Sequence, residues 1–180
     1  MSPTFAFLRA INVGGHTVTT ARLKELFEEL GLKKVETFLA SGNVVFEGGA
    51  GNEAALRKRI EAHLHQALGY EVVTFLRDGK ELGALVAGCP FQEAEVAAAT
   101  ALNVALLHEP LTAEAQVRLQ TLRSDADAFR ATGREIWWLC DVKQSESTFS
   151  NAVFEKALGL KATFRGISTL RRLAAKHLKS

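Results

Sequence analysis

A chain of 180 residues that is 47% hydrophobic can bury a core of its own, as one domain or as two small ones, and is not a disordered tail. Its 22 basic and 20 acidic residues leave a formal net charge of +2, so the overall charge demands no polyanion as partner. Cys89 and Cys140 stand far apart without the spacing of a metal knuckle, which argues against a disulfide framework and reads as two free thiols. Met1-Ser2-Pro3 leads into a strand pattern rather than the basic and apolar regions of a signal peptide, and no apolar run is long enough to span a bilayer. The expectation is a cytoplasmic protein with no membrane partner.

In chain order, Phe5 to Arg9 is mostly apolar on both faces and predicts a central strand buried on both sides. Thr20 is placed to cap a helix with Leu23, Leu26, Phe27 and Leu30 on one face, ended by Gly31. Val35 to Ala40 predicts the next strand, and Ser41-Gly42-Asn43 predicts a turn into a hairpin partner, Val44 to Glu47. Gly48, Gly49 and Gly51 form a loop, after which Asn52 caps a helix carrying Leu56, Ile60, Leu64 and Leu68 to its stop at Gly69. Tyr70 to Leu76 predicts a fourth strand. Asp78 with Glu81 reads as a capping pair for a short helix that Gly88-Cys89-Pro90 ends.

The second half repeats this plan. Leu102 to Leu107 predicts a strand, Thr112 caps a helix, and Ala128–Ala131 and Glu135–Leu139 predict a hairpin around Gly133. A helix through Phe154 and Leu158 ends at Gly159, Lys161 to Arg165 is the last strand, and Ser168 is read as the cap of a final helix. Thr37-Phe38-Leu39-Ala40-Ser41-Gly42 is similar to Ala128-Phe129-Arg130-Ala131-Thr132-Gly133 at the same topological position. The order strand, helix, strand, strand, helix, strand in each half predicts an α+β fold that is a tandem duplication of two ferredoxin-like (βαββαβ) subdomains. The expected division is residues 1–91, a connector at 92–99, and residues 100–180.

The motif Leu8-Arg9-Ala10-Ile11-Asn12-Val13-Gly14-Gly15, followed by Ser41-Gly42-Asn43-Val44-Val45-Phe46, resembles the bacterial domain of unknown function 1697 family along essentially the whole chain. Pro90-Phe91 and Thr163-Phe164-Arg165 also look like that family's pattern. The resemblance implies two α+β subdomains and brings no established reaction. Ala10 stands where the family usually has glycine, Cys89 and Gly166 where it usually has asparagine, and Ser147-Thr148-Phe149 lacks an expected lysine. If those polar positions act in a second-half site, this chain has lost it, so the expected site lies in the first half.

In a ferredoxin-like sheet the first two strands run the same way, so their exits share one rim. That predicts a ligand-binding set of Arg9, Asn12, Gly14, Gly15, Ser41 and Asn43 for an anionic small molecule. The glycines would let backbone approach closely, Arg9 offers a planar fork to phosphate or carboxylate, and the polar side chains add directional bonds. Each motif also has a plain structural reading as turn former or backbone cap. No cofactor is indicated, because Gly14-Gly15 lacks the rest of a dinucleotide or phosphate-loop fingerprint.

Neither metal ligands nor catalytic residues are assigned. His63 and His65 do not share a helix face, and nothing in the sequence activates Ser41. Two other classes compete. After Glu155 the chain has no acid, and Arg171, Arg172, Lys176 and Lys179 would give a nucleic-acid-binding module a salt-dependent contact. Such a module would also need stacking aromatics, and Phe5, Phe7, Phe46, Trp137 and Trp138 lie on predicted strands. The other class is a protein-interaction or dimerisation module without a ligand; monomer and homodimer both remain open.

Overall fold

The computed structural model describes residues 2–12, 15–38, 42–49, 51–142 and 150–178. It is an α+β protein with two four-stranded antiparallel sheets. Two compact units are distinguished: the residues up to Gly83 together with those from Leu173 onward, and Ala84–Arg172.

The first unit contains strand β1 (Thr4–Leu8), helix α1 (Thr20–Glu28), β2 (Lys33–Thr37), β3 (Asn43–Glu47), α2 (Glu53–Leu68) and β4 (Thr74–Asp78), with the sheet order β2-β3-β1-β4. α1 and α2 cover one face, where Leu23, Leu26, Phe27, Ile60 and Leu64 pack against Ala6, Leu8, Val44, Phe46 and Leu76. The alternate residues Phe5, Phe7, Val45, Phe75 and Arg77 are buried on the other face, so β1 is closed on both sides as its apolar run predicts.

Helix ends follow local chemistry. Asn52 Oδ1 accepts from the amides of Ala54 and Ala55, and Gly69 closes α2 in the left-handed region at φ 83°. At α1 the cap is Thr19, whose hydroxyl meets the Arg22 amide, one residue earlier than expected. β2 also starts two residues early, with a register shift between Lys33 and Glu36 and a left-handed Lys34. That bulge breaks the alternation by which the strand would be recognised. β4 is Thr74–Asp78 rather than Tyr70–Leu76, because β1 offers partners only from Thr4 opposite Asp78 to Leu8 opposite Thr74.

α3 (Gly79–Ala87) opens on reciprocal bonds, Asp78 N to Glu81 Oε2 at 2.8 Å and Glu81 N to Asp78 Oδ1 at 2.7 Å. A short helix, α4 (Glu93–Ala98), follows. The second unit then has β5 (Ala101–Leu106), α5 (Ala113–Gln120), β6 (Asp127–Thr132), β7 (Glu135–Cys140), α6 (Asn151–Leu158) and β8 (Thr163–Gly166), in the order β6-β7-β5-β8. Its core gathers Ala105, Leu119, Phe129, Trp138, Phe154 and Leu158 beneath α5 and α6. Trp138 donates to Asp127 Oδ1 at 2.7 Å, which satisfies both buried groups.

The last helix, α7 (Ile167–His177), follows β8 without a turn. Ser168 is therefore inside the helix rather than its cap.

Candidate functional site

β1 and β2 both pair antiparallel with β3, so they run parallel and end on the same side of the sheet, where β3 and β4 begin. Backbone bonds tie this rim together: Leu8 N donates to Gly42 O, Arg9 N to Val73 O, and Phe38 N to Asn43 O, each at 2.9 Å. The loop after β1 is held from a third direction, by the Tyr70 hydroxyl donating to Ile11 O at 3.0 Å. The His16 ring stacks on Tyr70 with centroids 3.9 Å apart. Burial raises the Tyr70 phenol above its usual range, so it remains the protonated donor this bond needs. Segments far apart in sequence thus meet at one edge.

The expected residues divide by what their side chains already do. Arg9 is half-buried at the exit of β1. Asn12 is exposed, yet its Oδ1 accepts from Val18 N at 2.8 Å and shapes the loop into α1. Asn43 is 1% exposed and donates through Nδ2 to Phe38 O at 3.0 Å, locking the hairpin. Gly15 is exposed on the loop. Gly14 and Ser41 lie outside the described residues. Both described asparagines are therefore at least partly engaged in building the rim.

Ala10 occupies the left-handed region at φ 56°, a conformation that costs a residue with a Cβ about 1 kcal/mol or more. This is the position where the family resemblance leads one to expect glycine, and the geometry supplies the reason.

His16 and Tyr70 were not assigned a role from sequence. Tyr70 is the chain's single tyrosine, and the only signal for it is the polar stretch Gly69-Tyr70-Glu71 just before β4. The loop Gly48, Gly49, Gly51 lines a cavity of about 300 Å³ at the opposite end of the same sheet, beside Thr4, Arg77 and Asp78.

Among the basic residues of α7, Arg171 and Arg172 are exposed, while Lys176 pairs with Glu36 at 3.0 Å and lies 5.9 Å from the Phe38 ring centre. Lys179 lies outside the described residues. Phe5, Phe7, Phe46, Trp137 and Trp138 are each no more than 1% exposed, so these five rings are core and offer no stacking platform. Arg165 is buried as well. Desolvation brings its pKa down to about 10, and its guanidinium donates to Thr163 Oγ1 at 2.7 Å and Phe164 O at 2.9 Å. Among the described residues, no helix is long and apolar enough to cross a membrane, and no three His, Cys, Asp or Glu residues gather as a metal site.

A solved structure of a conserved bacterial protein from Streptococcus pneumoniae is similar over 99% of both chains, with a TM-score of 0.75 at 21% identity, a likeness of fold. No curated protein matches the chain. The model of the family described as "Protein of unknown function (DUF1697)" matches residues 1–137, and the chain belongs to that family.

Proposed function

We propose that the rim at the exit of β1 binds a small anionic molecule, with Arg9 meeting the anion and His16 on Tyr70 forming an adjacent aromatic wall. The observation that carries this reading is the convergence of three separate segments on one edge: the loop after β1, the β2–β3 hairpin and Tyr70. In this reading Asn12 and Asn43 are scaffold, Gly15 is part of the loop, and Gly14 and Ser41 are proposed as ligand contacts. The protein is read as cytoplasmic. The chain is read as two duplicated ferredoxin-like halves, divided at a connector over 92–99, and the shared strand order with similar hairpin sequences supports that duplication.

The test is a thermal-shift screen of nucleotides, sugar phosphates, small carboxylates and short RNA on the wild type beside Arg9→Ala. A ligand present at a hundred times its Kd stabilises the folded state by about 2.7 kcal/mol, so a true ligand gives a concentration-dependent shift. The expected result is a shift by one anionic class that Arg9→Ala abolishes. A shift by RNA that survives Arg9→Ala but fades with salt would move the function to Arg171 and Arg172 on α7. If no compound shifts the transition, the interaction-module reading takes over, and the internal bonds of Asn12 and Asn43 already favour it over any reading that needs those amides for a ligand.

A further inference from the structure

In the second unit, the end of the sheet where β5 exits and β8 begins holds a cavity of about 360 Å³, lined by the loop from Leu107 into α5 and by the turn from Leu158 to Lys161. We propose that it is a second ligand site, for a small amphipathic anion: a carboxylate or phosphate monoester with an apolar body. It stands on its own observations and does not depend on the rim of the first unit.

The volume falls within the range of small-molecule pockets, roughly 300–1,000 Å³. Leu111, Ala115, Leu158 and Leu160 form an apolar wall, and Arg118 and Lys161 supply two cationic side chains on the lining. Lys161 is not neutralised from within, and Arg118 is paired with Glu114 through only one of its nitrogens. Lys161 is exposed and has no hydrogen bond or ion pair among the described residues. Arg118 gives one terminal nitrogen to Glu114 at 2.9 Å, while its Nε–H is shut away from solvent with no acceptor among the described residues.

A guanidinium N–H in that state wants an oxygen, and an anionic oxygen is the partner for which the guanidinium fork is best suited. An oxyanion on Arg118 and Lys161 would satisfy the donor and pair the ammonium, while the leucine wall would take up the rest of the molecule. Glu109, also on the lining, disfavours a second anionic group and so limits the ligand to one charged end. Cys89 and Gly166, the positions that depart from the family pattern, are not part of this lining, so those departures do not bear on it.

The probe is phenyl phosphate, titrated into the full-length protein and followed residue by residue in amide NMR spectra. Benzyl alcohol serves as the uncharged probe of similar body. The expected result is a set of saturable shifts at Leu111, Ala115, Gly159 and Leu160, with benzyl alcohol weaker by roughly tenfold or more, as loss of a charge-assisted bond predicts. Arg118→Gln and, separately, Lys161→Gln should each weaken phenyl phosphate by roughly tenfold. Lys161 is exposed, so its replacement keeps the fold when Arg118→Gln does not. Arg9→Ala should leave these shifts unchanged, which separates this site from the rim. Absence of saturable shifts at the four amides, equal binding of benzyl alcohol, or indifference to Lys161→Gln would each overturn the proposal. So would loss of the shifts in Arg9→Ala.

Discussion

Replacing Gly42 by alanine probes the contact on which the rim depends. Gly42 is buried at φ 75°, and its carbonyl accepts the Leu8 amide at 2.9 Å. A Cβ added there would stand 2.7 Å from Ile11 Cγ2, 3.2 Å from Leu8 Cβ and 3.3 Å from Leu8 O. Ile11 is itself 3% exposed, and Leu8 is fixed in the sheet opposite Thr74, so neither neighbour can swing into solvent. The left-handed backbone costs alanine about 1–2 kcal/mol, and overpacking adds about 1–3 kcal/mol, so the loss should total roughly 2–5 kcal/mol. Gly69→Ala is the control: its φ is 83°, with nothing within 4 Å of the new Cβ, so only the conformational cost of about 1–2 kcal/mol applies. Urea unfolding followed by far-UV circular dichroism measures both, since Trp137 and Trp138 both belong to the second unit and would report on the wrong place. If Gly42→Ala is no more destabilised than Gly69→Ala, to within about 0.5 kcal/mol, the hairpin does not seat on the loop after β1 and the argument for a built rim fails.

Two further outcomes concern titratable groups and thiols. His177 sits edge-on to Phe5 with ring centroids 6.0 Å apart, and burial lowers its pKa below the ordinary 6.5, with Lys176 adding to the fall and Glu36 opposing it. Below about pH 6.5 the unfolded chain binds this proton more readily than the folded one, so stability should fall as pH drops from 6.5 through the depressed folded value, and His177→Gln should flatten that segment of a stability–pH curve. Glu36, lowered first by its bond to Lys176, acts in the other window, where stability is lost below the ordinary carboxylate value of 4.5. A wild-type curve that is flat between neutrality and the carboxylate range would refute the assignment to His177. For the thiols, Cys140 is fully buried and burial raises its pKa, whereas Cys89 is partly exposed. Iodoacetamide should therefore label Cys89 alone in the native protein and both thiols in denaturant, and mass spectrometry showing native labelling of Cys140 would contradict the packing of β7.

Sequence reasoning succeeded where one residue's chemistry acts on its near neighbours. Asn52 and Thr112 cap the helices they precede, Asp78 and Glu81 exchange bonds across three residues, and Gly69 and Gly159 end α2 and α6 in the left-handed region. It slipped where a distant partner sets the limit. Val72 and Val73 have strand-like side chains and are buried, yet they lie outside β4 because β1 has already ended opposite Thr74. Likewise Thr19 and Thr20 are equivalent as letters, and only the path of the backbone decides which hydroxyl meets the Arg22 amide.

The candidate sites divide along the same line. Arg9, Asn12 and Asn43 were legible as polar residues at one rim because strand direction follows from topology, but the sequence could not say that the asparagine amides would be taken up by Val18 and Phe38. The cavity of the second unit left no local signal at all. Leu111, Arg118 and Leu160 belong to three separate segments, each of which reads by itself as an ordinary loop, helix or turn. Their common site depends on β5 and β8 being neighbours, with the loop after one lying beside the turn before the other. A buried donor without an acceptor marks such a place better than any motif does, because the free energy of desolving it must be recovered and the local sequence offers nothing that recovers it.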